Sequence, residues 1–142
     1  MSGWLLDTNV MSELRRPRPN RQVVEFVENA PASQLFVSVA SIAELRVGIE
    51  MTEDPATRDV LGQWLDRTVR PMFERRILAL SEDVLERWLR LIGQGRRMRR
   101  TFPYPDVLIA ATAAHHDLAV VTRNVRDFEP LRVAVINPWV GT

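Results

Sequence analysis

The sequence predicts a three-layer α/β/α sandwich built on a short, mainly parallel sheet. Three observations carry that reading. Short β-branched runs alternate with longer segments of helical periodicity, a pattern that gives parallel pairing with helices on both faces of a sheet. Acids stand where strands give way to helices. The 142 residues contain no cysteine, and their 46% hydrophobic content suffices for a single cored domain over positions 1–142.

Trp4, Leu5 and Leu6 read as a buried strand that stops on Asp7, and Thr8 onward places Val10, Met11 and Leu14 at helical spacing. Asp7 therefore sits at the carboxyl end of a first strand, where open α/β sheets hold their ligands. Residues 21–30 carry Val23, Val24 and Val27 on one helical face. Residues 35–39 form a β-branched strand, and 40–50 set Ile42, Leu45 and Ile49 on a helical stripe. A helix over 54–69 opens with Asp54 as N-cap and Pro55 at its first position, and its apolar residues are Leu61, Trp64, Leu65 and Val69. Residues 76–80 are a strand. Ser81 then caps a helix bearing Val84, Leu85, Trp88, Leu89 and Ile92, with Gly93 and Gly95 as its stop. The segment 105–117 starts with a proline and an acid and is apolar nearly all round, which predicts a buried helix packed through its alanines. Strands over 118–122 and 133–137 close the chain, with a turn and a short helix over 124–128 between them.

The net charge of +1 conceals that all nineteen basic residues are arginine. Schiff-base chemistry and a phosphate-loop lysine are excluded, and every cation is a planar fork suited to carboxylate or phosphate oxygens. Without cysteine there is no thiolate nucleophile and no cysteine-held zinc. No apolar run approaches the roughly 18 residues of a membrane span. No basic region followed by a long apolar stretch opens the chain, so a cytoplasmic location is expected.

Asp7, Glu44, Asp106 and Asp127 stand where the apolar pattern predicts burial or near-burial, with Asn124 close to the last of them. Unpaired buried carboxylates are costly, so they are protonated, paired with arginine, or gathered round a cation. Few basic residues adjoin them, which favours the cation, and an oxygen-only ligand set favours Mg²⁺ or Mn²⁺ over zinc. Simpler readings compete. Asp7 and Asp106 can serve as helix N-caps, and Glu44 can pair with Arg46 at the surface. His115 and His116 project about 100° apart on a helix, poorly placed to share a metal, and read as a helix-end feature.

The segments "LLDTNVMSEL", "VSVASIAELRVGIE", "PDVLIAATAAHHDLAVVTRNVRDF" and the terminal "VINPW" resemble the PIN-domain family, specifically the VapC- and FitB-type toxins of toxin–antitoxin pairs. The resemblance spans essentially the whole chain. It implies a PIN fold, Mg²⁺- or Mn²⁺-dependent endoribonuclease activity, and a homodimer that joins a VapB-like antitoxin in a heterotetramer or larger assembly. Carried over by motif, Asp7, Glu44 and Asp106 match the family's acidic metal ligands, and Thr8 and Asn9 its polar positions after the first acid. Many members place a fourth acid directly after the threonine–arginine pair, where this chain has Asn124; Asp127 is the nearest substitute and, with Asp7, the seat of any second ion. Catalysis and metal binding are thus expected of Asp7, Glu44, Asp106 and Asp127. RNA contacts are expected of Thr122 and Asn124, and of Arg96, Arg97, Arg99 and Arg100, which precede the aromatic residues Phe102 and Tyr104. That arginine cluster also reads as a solvated helix end.

A haloacid-dehalogenase-type phosphatase needs a second aspartate where Asn9 stands and a lysine this chain lacks. A dinucleotide site fails because Gly93 and Gly95 follow a helix, without a third glycine. The remaining alternative is a PIN-like RNA-binding or scaffolding protein without cleavage, favoured only by Asn124.

Overall fold

Strands β1 (Trp4–Leu6), β2 (Leu35–Ser38), β3 (Ile77–Leu78), β4 (Ala119–Val121) and β5 (Val135–Ile136) form one sheet in the order β3-β2-β1-β4-β5. Every pairing is parallel, with Trp4, Leu5 and Leu6 opposite Ala119, Val120 and Val121 at the centre. The structure is a computed structural model in which residues 3–140 are described. Strand alternation assigns side chains to two cores. Leu6, Val121, Leu35 and Val37 point to one face, while Leu5 and Val120 point to the other.

The first face is covered by α1 (Thr8–Arg15), α2 (Arg21–Asn29), α3 (Val39–Glu50) and α4 (Pro55–Trp64). These supply Val10, Met11, Val23, Ile42 and Leu45, and Phe73 closes the same cluster. The second face is covered by α6 (Glu82–Arg97), α7 (Tyr104–His116) and α8 (Val125–Phe128), the short α5 (Arg70–Met72) having already followed α4. Alanines 110 and 113 let α7 lie close to the sheet beside Val107, Ile109 and Phe128. The three-layer α/β/α expectation holds. The chain winds from β1 outward to β2 and β3, then crosses back to β4 and β5, so the winding reverses between β1 and β4. That crevice, at the carboxyl ends of the strands, is where such sheets bind ligands. Among the described residues no helix is long and apolar enough to cross a membrane.

Caps follow the sequence: Asp54 accepts from Thr57 N and Ser81 from Val84 N. Several boundaries do not. The helix expected over 54–69 gives way at Leu65–Val69 to a wider π-type turn in which Arg70 N donates to Leu65 O. Pro71 explains it: its ring cannot donate to the fourth preceding carbonyl and would clash with it in a regular helix. Ser38 caps α3, so the strand there ends one residue early. Leu85 and Leu89 of α6 are exposed rather than core.

Gly93 and Gly95 do not stop α6, which runs to Arg97. The stop is a Schellman turn with an arginine in the position usually held by glycine: Arg99 has φ 56, Arg100 N donates to Gly95 O at 2.8 Å, and Arg99 N to Arg96 O at 3.0 Å. Gly95 is needed for space instead, since a Cβ there would lie 2.7 Å from the Phe102 ring and 3.0 Å from Arg100 O. Nothing lies within 4 Å of a Cβ at Gly93. Gly93→Ala should therefore stabilise the protein by about 0.5–1 kcal/mol through helix propensity. Gly95→Ala should destabilise it by about 1–3 kcal/mol through overpacking. Denaturant melts of the two variants measure both signs.

Candidate active site

Asp7 ends β1 and its backbone N–H donates to Val121 O at 2.9 Å, continuing the β1–β4 ladder into the crevice. The residue is only 5% exposed. One carboxylate oxygen accepts from Thr8 N and the other from the Thr122 hydroxyl, each at 2.8 Å. Asp7 is thus both the α1 cap and a group turned toward the crevice, and the two sequence readings of it are compatible. Burial pushes its pKa up, opposed by the Thr122 and Thr8 hydrogen bonds and reinforced by the charge of Asp127.

Thr122 ends β4 and is fully buried. Its hydroxyl donates to Asp7 and accepts from Asn9 Nδ2 at 3.0 Å and from Asn124 N at 3.1 Å. A threonine hydroxyl has one proton and two lone pairs, so its capacity is fully used. The expectation that Thr122 touches substrate is corrected: it is sealed from solvent and orients Asp7.

Glu44 departs from the expected burial, for it lies on an exposed part of α3. Its carboxylate accepts from the Thr8 hydroxyl at 3.1 Å. Partial burial raises its pKa, the Thr8 bond opposes, and the Asp7 charge adds. Arg46 does not pair with it, because that guanidinium is taken by Asp66 at 2.6 Å. Asp106 is not a cap either; Pro103 holds the N-cap position of α7 and Asp106 lies in the first turn without a capping bond. Its carboxyl is pushed up to about 6, first by burial and then by the charges of Asp7, Asp127 and Glu44. These acids share one electrostatic environment.

Asp7, Glu44, Asp106 and Asn124 line the same cleft of about 590 Å³. Asp127 does not line it; it is exposed in the first turn of α8, near enough for its charge to act on Asp7 and Asp106. Among the described residues no three acids or histidines are drawn close enough to hold an ion as they stand. The donor chemistry still fits a hard cation: oxygen-only ligands that repel one another and whose proton affinity is raised. His115 and His116 are excluded, since they end α7 about 15 Å along its axis from Asp106. Their rings meet edge to face at 4.8 Å.

Arg96, Arg97, Arg99 and Arg100 are exposed at the end of α6, Arg100 stacked on Phe102, and none lines the acidic cleft. The arginines that do are Arg15, Arg16 and Arg123, together with Trp139 and Glu13. Sequence reasoning missed this wall. One signal was available: Glu13 is three residues past Val10, on the buried face of α1. Its carboxylate accepts from Asn20 N at 2.8 Å and from Arg16 at 3.3 Å, and the Asn20 bond foremost holds its pKa below the usual range.

A PIN-domain family profile matches residues 4–132. Toxin FitB of Neisseria gonorrhoeae is 36% identical over 135 residues, spanning 95% of this chain and 97% of FitB. VapC ribonuclease Y4jK of Sinorhizobium fredii is 32% identical over 135 residues, spanning 95% and 96% respectively. The crystal structure of FitAcB from Neisseria gonorrhoeae matches with a TM-score of 0.89 at 35% identity, over 96% of this chain and 98% of that one. A toxin–antitoxin complex from Klebsiella pneumoniae matches with a TM-score of 0.71 at 27% identity, over 96% and 98%. With the family profile and these relatives covering nearly its full length, the chain belongs to the PIN-domain family.

Proposed function

We propose that this protein is a divalent-metal-dependent endoribonuclease acting as the toxin of a toxin–antitoxin pair. The observation that carries the reading is the placement of Asp7, Glu44 and Asp106 on one cleft at the switch point of the sheet, with their proton affinities raised. Relatives named as a toxin and as a VapC ribonuclease support it. The three acids would hold Mg²⁺ or Mn²⁺, with Asp127 adding charge beside them. A bound ion supplies Lewis acidity toward a phosphodiester and a water of lowered pKa.

The chain's own residues do the positioning. Thr122 and Thr8 N fix both oxygens of Asp7, and the Thr8 hydroxyl ties Glu44 to the same strand end. Asn124 faces the cleft with a neutral amide that can orient the attacking water by hydrogen bonding. Arg96, Arg97, Arg99 and Arg100, outside the cleft, would engage phosphates farther along the RNA. An apolar groove beside Glu44, lined by Val47, Tyr104 and Leu108 among others, is suited to a protein partner. The likeness to FitAcB and to a toxin–antitoxin complex supports a VapB-like antitoxin as partner, and the family resemblance supports a second copy of the chain. Incubation of the purified protein with total RNA, with and without Mg²⁺ or Mn²⁺, tests the reading. Internal cuts that need the ion are expected; RNA binding without cuts in either ion would favour the non-cleaving alternative.

Asp106→Asn should lower cleavage at least about a hundredfold. Its effect on the ion-free fold depends on pH. A folded-state pKa of about 6, above the ordinary 3.8, means that the group's favourable contribution is complete below about pH 4 and is lost as pH rises through about 6. The variant, permanently neutral, should be more stable than wild type at about pH 7.5 by about 1 kcal/mol, allowing for solvent screening, and equal to it at about pH 4. Thermal melts in chelator at both pH values measure the difference.

Asp127→Asn should weaken Mn²⁺ binding and slow cleavage, though less than Asp106→Asn, while Asn124→Asp should tighten Mn²⁺ binding by adding a carboxylate to the cleft. Calorimetric Mn²⁺ titration of both variants checks the order. Expressed alone, the wild-type chain should slow growth, and it should co-purify with the product of an adjacent gene when the two are co-expressed. Unimpaired growth together with no co-purifying product would refute the toxin assignment.

A further inference from the structure

Arg123 follows the buried Thr122 directly, and its backbone N–H donates to Asn9 Oδ1 at 3.4 Å. Its side chain stands in the wall of the acidic cleft, with the guanidinium carbon 5.4 Å from the centroid of the Trp139 ring. Trp139 is itself held: its backbone N–H donates to Asn137 Oδ1 at 2.9 Å, and the indole packs against the core cluster that includes Met11 and Val23. The arginine therefore rests on a supported platform beside a strand end already locked to Asp7.

We infer that Arg123 is the phosphate clamp of the cleft and Trp139 its positioning residue; the substrate class, single-stranded RNA, rests on the nuclease reading above. Stacking occupies one face of the guanidinium and leaves its in-plane N–H donors free, the geometry that grips a phosphate through two parallel hydrogen bonds. Among the described residues those donors have no hydrogen-bond or ion-pair partner. Four other arginines are committed: Arg16 to Glu13, Arg46 to Asp66, Arg90 to Glu86, and Arg76 to the carbonyls of Ala32, Leu35 and Met72; Arg15, also on the cleft, has no aromatic platform among the described residues. Glu13 feels the charge of Arg123, but its oxygens are already engaged by Asn20 N and Arg16.

The ring also solves a problem of proximity. A flexible arginine beside Asp7, Glu44 and Asp106 would fold onto them and neutralise the charge a cation needs. Stacked on Trp139, Arg123 stays in the cleft wall, so the cleft is lined by acids and by a cation that does not cancel them. A phosphodiester bound there can meet both.

The test has two independent arms. In chelator, binding of a fluorescent single-stranded RNA is followed by anisotropy across a salt series. With Mn²⁺, cleavage of the same RNA gives kcat and KM. Arg123→Gln should raise the Kd about tenfold and reduce the log–log salt slope by about 0.7, one phosphate contact. It should raise KM far more than it lowers kcat. Trp139→Phe, which keeps a stacking face, should stay near wild type, and Trp139→Leu should reproduce the Arg123→Gln effect. In the double variant the two losses should not add. Arg67→Gln, exposed on the π-type turn, is the control. Should Trp139→Leu melt early, Arg123→Gln and Trp139→Phe still decide the matter. An Arg123→Gln protein with the salt slope and KM of the control would overturn the clamp, as would a wild type that binds no RNA. A wild type that binds RNA with the Arg123-dependent slope but cuts none in either ion would refute the nuclease reading and leave the clamp standing.

Discussion

The hydrogen bond from the Thr122 hydroxyl to the Asp7 carboxylate joins the ends of the two central strands, and the geometry of the cleft depends on it. A carboxylate at the end of a buried strand loses most of its hydration. Thr122 returns part of that loss from within the protein, and the same hydroxyl accepts from Asn9 and from the backbone of Asn124. One oxygen atom thus sets the relative positions of the β1 end, the first turn of α1 and the turn after β4. Thr8 then reaches Glu44 and Asn9 reaches Arg123, so both sides of the cleft are measured from this seam. A hydroxyl whose single proton and two lone pairs are all engaged has one orientation open to it.

Acids and arginines share the cleft without cancelling. Among the described residues Asp7, Glu44 and Asp106 have no ion pair, and burial first, then neighbouring charge, raises their proton affinity, up to about 6 at Asp106. Two of the three arginines on the cleft are held back by other means: Glu13 takes Arg16, and an aromatic ring takes Arg123. Acids and a cation thus line one cleft together, kept from pairing by packing.

Much of this was legible in the sequence because of where the acids fall. Asp7 interrupts a strand and Asp106 opens an apolar helix, so periodicity places both at the ends of elements, whereas Glu44, read as near-buried, is exposed and meets the others through Thr8. Residues whose role depends on packing across distant segments were not legible. Thr122 looks like a contact residue until its burial is known, and Trp139 carries no periodic signal that would place it under Arg123. Arginine density drew attention to positions 96–100, yet the cations in the cleft come from the end of α1 and the turn after β4. The glycines of α6 were misread for a related reason: sequence shows the missing Cβ but not the Phe102 ring that occupies its place.

The β1–β4 seam also bears on how the protein is made. Asp7 and Thr122 are 115 positions apart, and the strands they end are direct neighbours. A nascent chain can form β1 and β2 and cover one face with helices while the central partner of β1 is still unsynthesised. Pairing between segments so far apart is slow, because loop closure precedes the contacts that reward it. Until β4 is inserted, Asp7 has no Thr122 and the cleft has no Arg123 wall. Arg123 can therefore face Asp7 and Glu44 only after β4 and the turn that follows it have been synthesised and docked.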